Sequence, residues 1–241
     1  MTSPDAPAAP VRVVIADDQA MIRLGLRMIL DHEPDLTTVA EAADGQEAID
    51  LARQTAADVV LMDIRMPGTD GIEATRRIRA DPALADLRVV VLTTFDDAEY
   101  VTGALQAGAD AFLLKDTDPG TLVAAVRRAR AGGNLLDPAI TSLVLEQWRR
   151  WGRTRTDTPG GGAQSSLSTV TRREREVLLA VARGRSNQEI ADALGLTHAT
   201  VKAYVHTLLA KTGCTARTQL VVLAYEAGLV VPGDDGTGDP R

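Results

Sequence analysis

A chain of 241 residues, 45% apolar and only 3% aromatic, has room for two domains of ordinary size. Their cores must be built from Ala, Val, Leu and Ile, which excludes an aromatic-rich sandwich. No apolar run approaches the roughly 18 residues of a membrane span, the opening MTSPDAPAAP lacks a signal-peptide pattern, and a single cysteine, Cys214, excludes an intrachain disulfide, so a cytoplasmic protein with no membrane partner is expected. The formal charge of −7 is divided unevenly: residues 1–130 hold 13 Lys and Arg against 22 Asp and Glu, whereas residues 165–232 hold 8 against 5. Attraction to phosphates belongs to the domain that touches them, so the basic C-terminal half keeps nucleic acid in play.

In chain order, short apolar runs alternate with helical patterns: VRVVIA from Val11, IRLGLRMIL, TTVAEA, QEAIDLARQ, ADVVLMD, RVVVLTTF and AFLLKD. This alternation predicts an α/β domain over residues 11–130, a doubly wound parallel sheet of five strands, each followed by a helix. Residues 131–165 decay into a Gly-, Pro-, Ser- and Thr-containing linker whose first, helical part carries Trp148 and Trp151. Residues 166–230 read as a small all-α domain of four helices. Thr171 with Glu174 and Ser186 with Glu189 are capping boxes, Thr197 opens a third helix, and Gly184, Gly195 and Gly213 are stops. The brief turn Gly195-Leu196-Thr197 joins two of these helices as a helix-turn-helix. Residues 231–241 have the composition of a disordered tail.

Ligands of such sheets sit beyond the carboxyl ends of the strands. Strand one ends in Asp17-Asp18 and strand three in Asp63. If those strands are neighbours, three carboxylates meet and call for a hard cation such as magnesium. Thr93 and Lys115 end strands four and five. Each alone has a bland reading: a turn residue, a strand former, a solvated lysine. Together, at carboxyl ends only, they form a set able to receive a phosphoryl group, with Asp63 as nucleophile.

In the helix opened by Thr197, Val201, Val205, Leu208 and Leu209 form an apolar stripe, leaving Lys202, Ala203, His206 and Lys211 on polar positions. A seated helix with a polar outer face fits a DNA major groove; a solvated amphipathic helix of a protein-binding module is the bland counterpart.

The first half resembles a response-regulator receiver domain, flavodoxin-like in fold. The resemblance rests on Asp17-Asp18, the DIRMPGTDG run from Asp63 to Gly71, Thr93, and AGADAFLLK ending at Lys115. It implies that Asp63 accepts a phosphoryl group from a sensor histidine kinase. It also implies that Asp18, Asp63 and the Arg65 backbone carbonyl ligate magnesium with help from Asp17, that Lys115 pairs with the phosphate, and that Thr93 and Phe112 form the switch. Asp116 stands where many receivers carry proline.

The second half resembles a LuxR-type output domain, through TRREREVL, GRSNQEIA, LTHATVK and the final helix with Arg217 and Gln219. Together the two place the chain in the NarL/FixJ class. Lys202, Ala203 and His206 are then expected in the groove of double-stranded promoter DNA, with Ser186, Asn187, Thr200 and Lys211 near phosphates and the last helix forming a homodimer contact on DNA. His206 stands where many relatives carry Lys or Arg, which implies modest affinity with marked salt dependence, and Tyr204 also departs from a frequent histidine.

Two other functions compete. An aspartyl-phosphate hydrolase would carry a second Asp two residues after its nucleophile; Arg65 is there, so no enzyme beyond slow self-dephosphorylation is expected. A constitutive transcription factor would use the receiver only as a dimerisation scaffold.

Overall fold

The structure is a computed structural model that describes residues 9–93, 98–133, 135, 136 and 167–230. Its first part is a parallel sheet in the order β2-β1-β3-β4-β5-β6. The strands are β1 (Val11–Ala16), β2 (Leu36–Ala42), β3 (Val59–Asp63), β4 (Arg88–Thr93), β5 (Ala111–Leu114) and β6 (Leu135–Leu136). Five strands match the sequence-based expectation. A sixth, two-residue strand extends it: Leu135 and Leu136 lie in the stretch read as linker, yet pair with Ala111 and Phe112.

Helices α1 (Ala20–Asp31), α2 (Gly45–Gln54), α3 (Gly71–Ala80), α4 (Ala98–Ala107) and α5 (Pro119–Arg130) connect the strands. Their starts are set locally. The side chains of Asp44, Asp70 and Asp118 accept the third amide of α2, α3 and α5, satisfying donors that a helix leaves orphaned. The central strands are apolar on both faces because helices cover both. One face packs Val60, Met62, Val91 and Phe112 against α2, α3 and α4, and the other packs Val13, Ile15, Leu61 and Leu113 against α1 and α5.

The second part holds α6 (Arg172–Ala182), α7 (Asn187–Leu194), α8 (His198–Thr212) and α9 (Arg217–Glu226). Both predicted capping boxes are present, at Thr171 with Glu174 and Ser186 with Glu189. Gly195 and Gly213 end α7 and α8 in the left-handed conformation that glycine adopts without steric cost. Val177, Leu178, Ile190, Val201, Leu208 and Leu220 form its core. Trp148, Trp151 and the tail from 231 lie outside the described residues. No helix among the described residues is long and apolar enough to cross a membrane.

Candidate functional site

Strands β1 and β3 are neighbours, with Ala16 opposite Met62. The sheet order therefore reverses between them, and the residues that follow face one crevice. Asp17 comes directly after β1 and is fully buried; Asp63 ends β3 and is 5% exposed; Asp18 is exposed. Ligand atoms of all three carboxylates lie within 4.8 Å of one another.

Lys115, just past β5, places Nζ 2.7 Å from Asp17 Oδ2 and 2.8 Å from Asp63 Oδ2. Burial pushes the Asp63 carboxyl above its ordinary range, against the opposing pull of Lys115. Burial also disfavours the Lys115 ammonium, but its bonds to Asp17 and Asp63 outweigh that and raise its pKa. The ammonium thus supplies part of the positive charge that this cluster requires. A set of three carboxylates, one of them open to solvent, has the oxygen chemistry of a magnesium site.

The walls are fixed from several directions. Gln19 N–H donates to Asp17 Oδ1, and Arg23 donates to the Asp17 carbonyl while pairing with Glu41. The Arg65 backbone N–H donates to the Asp63 carboxylate, and Arg65 itself is exposed. Gly71, the first residue of α3, lies so close that a Cβ there would stand 2.0 Å from the Asp63 carbonyl oxygen. Thr93 is 2% exposed at the end of β4, and Phe112 is fully buried. Phe112 pairs with Val91, two residues before Thr93, so both side chains share the face that packs on α4.

The other sequence-predicted residues gather in the helical part and divide into two groups. Lys202, Ala203 and His206 lie exposed along α8, as a groove-facing surface requires. Thr200 is half-buried, its hydroxyl 2.8 Å from that of the N-cap residue Thr197. Ser186, Asn187 and Lys211 are bonded within the protein. Ser186 caps α7, Asn187 is buried and accepts from Arg217, and Lys211 donates to both carboxylate oxygens of Glu174 at 2.8 and 2.7 Å.

Contacts between the two halves bring in Asp86, Arg88, Arg128, Arg130 and Val222, to which the sequence patterns assign no role. Asp86 pairs with Lys202 at 2.7 Å, so the candidate groove-reading helix is engaged by the first part of the chain. Arg128 of α5 donates to the Gly184 carbonyl at 2.5 Å. Asn187, His198 and Lys202 line a 410 Å³ cleft against Asp86, Arg88 and Arg130. Val222 of α9 joins the apolar cluster under α4. Asp86 and Lys202 stand 116 positions apart in sequence and Arg128 and Gly184 stand 56 apart, beyond the reach of any local pattern.

Two family models match: the response regulator receiver domain over residues 13–127, and bacterial regulatory proteins of the luxR family over residues 168–224. The chain is 40% identical over 222 residues to the uncharacterized transcriptional regulatory protein YxjL of Bacillus subtilis, covering 91% of this chain and 97% of that one. It is 36% identical to the transcriptional regulatory protein LiaR of the same organism, covering 91% and 99%. Among solved structures it resembles the response regulator ChrA of a heme-sensing two-component system, with 33% identity, a TM-score of 0.50, and coverage of 92% of this chain and 100% of that one. It also resembles a LuxR-family response regulator from Aurantimonas sp. SI85-9A1, with 36% identity, a TM-score of 0.52, and coverage of 58% and 99%. The chain belongs to the response regulators that join a receiver domain to a LuxR-type helix-turn-helix domain.

Proposed function

We propose that this protein is a phosphorylation-dependent transcription regulator that accepts a phosphoryl group on Asp63 from a sensor histidine kinase and binds promoter DNA as a homodimer. The observation that carries the reading is the convergence of Asp17, Asp18, Asp63 and Lys115 at one sheet edge in a chain whose other half presents Lys202, Ala203 and His206 on one helix.

In the transfer, an Asp63 carboxylate oxygen forms a bond to phosphorus as the bond to the donor imidazole nitrogen breaks. Asp18, Asp63 and the Arg65 carbonyl would hold magnesium, with Asp17 behind them, and the ion would neutralise phosphoryl oxygens when bound. Lys115 moves from its carboxylate partners to the incoming phosphate. Thr93, buried beside the crevice, turns toward the new charge, and Phe112 follows on the same face. The position two residues after Asp63 is Arg65, which offers no carboxylate for acid–base turnover, so hydrolysis is confined to slow self-dephosphorylation.

On the DNA side Lys202, Ala203 and His206 read the groove, with Thr200 toward phosphates and α9 pairing the two copies; Ser186, Asn187 and Lys211 reach phosphates only by exchanging the intramolecular partners they hold here. The Asp86–Lys202 ion pair must break first, which gives the receiver a hold on DNA binding. Incubation with a small-molecule phosphodonor and magnesium tests the chemistry. One phosphoryl group should appear on the wild type and none on Asp63→Asn, and equal labelling of both would refute the assignment.

A further inference from the structure

The seam between the halves contains a helix end capped from the other domain. The last carbonyls of any helix lack intrahelical partners. At the end of α4 the Leu105 carbonyl, which also accepts the Gly108 amide at 3.1 Å, and the Gln106 carbonyl accept from Gln219 Nε2 of α9 at 2.8 and 3.2 Å. Beside them, Thr218 Oγ1 donates to the Ala109 carbonyl at 2.5 Å. Gln219 is aimed by its own domain, since its Oε1 accepts the Thr215 amide at 2.7 Å. Thr218 is fully buried and Gln219 is 8% exposed.

The receiver holds this seat chiefly through Arg79, while Arg88 pairs with the same Asp110 carboxylate at 3.4 Å. Arg79 donates to the Gly108 carbonyl and the Leu87 carbonyl at 2.7 and 2.8 Å and pairs with the Asp110 carboxylate. Asp110 in turn accepts the Val89 amide. Gly108, at φ +98°, is squeezed between the two domains: a Cβ there would lie 3.0 Å from Arg79 Cγ and 3.2 Å from Thr215 Oγ1. Arg79 is the penultimate residue of α3, whose first residue, Gly71, rests on the Asp63 backbone. One helix therefore spans from the phosphoacceptor to the loop that receives the output domain.

We propose that the α4 C-terminus and the Gly108–Asp110 loop form a seat that latches Thr218 and Gln219, with Arg79 as the residue that positions it. The proposal rests on the phosphorylation-dependent function above and gives it a second route, through α3, beside the Thr93 and Phe112 face. A displacement of α3 at Asp63 moves Arg79, and the carbonyls then lose register with Gln219. Since α9 is also the helix assigned to pairing on DNA, latching and pairing compete for it.

Gln219→Glu is the direct test, because it keeps the acceptor for Thr215 yet cannot donate and sets a negative charge against two carbonyls. Amide hydrogen exchange of the full chain without phosphodonor should accelerate about tenfold in α9 and in residues 105–110. Arg79→Ala should do the same, Arg79→Lys should fall between, and all three should still take up a phosphoryl group at Asp63. Donor-free binding to a duplex enriched from random sequence with the full chain should rise in Arg79→Ala. If exchange in Gln219→Glu and Arg79→Ala matches the wild type while labelling persists, the latch is wrong and the phosphorylation reading stands. A wild type that takes no label sinks that reading instead, and the exchange comparison still decides the latch. Should Arg79→Ala fail to fold, Gln219→Glu alone decides.

Discussion

Lys115 and Glu174 show how single side chains carry much of the molecule's charge logic. Asp17 is fully buried, and Lys115 bridges it to Asp63. Removing one partner of a buried pair leaves an uncompensated charge, so Lys115→Ala should cost about 3–5 kcal/mol in urea unfolding. Added magnesium should restore part of that loss by binding the folded state; a variant as stable as the wild type without magnesium would contradict this account. Glu174 accepts from Lys211 and from the Thr171 amide, which hold its carboxyl below the usual 4.5. A depressed pKa stabilises the fold above the ordinary value and loses that contribution as pH falls through the folded one. Glu174→Gln should therefore be less stable than the wild type by about 1–3 kcal/mol at neutral pH, and the gap should close below pH 4.5, as read by acid unfolding of the two proteins.

Among the elements, helix starts were readable from the residues and one strand was not. Thr171, Ser186 and Thr197 act as caps because a short side-chain oxygen can reach an orphan amide three residues on. The physics is local, so the pattern suffices. Thr171→Ala should cost about 1 kcal/mol of output-domain stability in thermal unfolding. The pair Leu135–Leu136 gave no such signal: its two residues become a strand only by pairing with β5 beyond a five-strand pattern that already looked closed. Gly71 stands between these cases. The DIRMPGTDG run marks it as notable, but only the fold shows that any Cβ would collide with the Asp63 carbonyl. Gly71→Ala should push the start of α3 off Asp63 and, on the proposed function, depress label uptake along with stability; normal labelling would contradict the packing.

At the scale of the whole molecule, the two halves were legible and their embrace was not. Strand-end placement brought Asp17, Asp18, Asp63, Thr93 and Lys115 to one edge because parallel topology leaves few alternatives. Nothing local announces that Asp86 would meet Lys202 or that Arg128 would meet Gly184, since such pairs depend on how two finished domains dock. That docking sets Lys202 of the output helix against Asp86 of the receiver. The Asp86–Lys202 pair is exposed and worth little by itself, so the proposed control rests on the combined seam. Duplex affinity, titrated with and without phosphodonor for the wild type and for Asp63→Asn, tests this claim most directly. The account predicts tighter binding with donor for the wild type and no change for Asp63→Asn; equal affinities for both proteins at every donor concentration would contradict it.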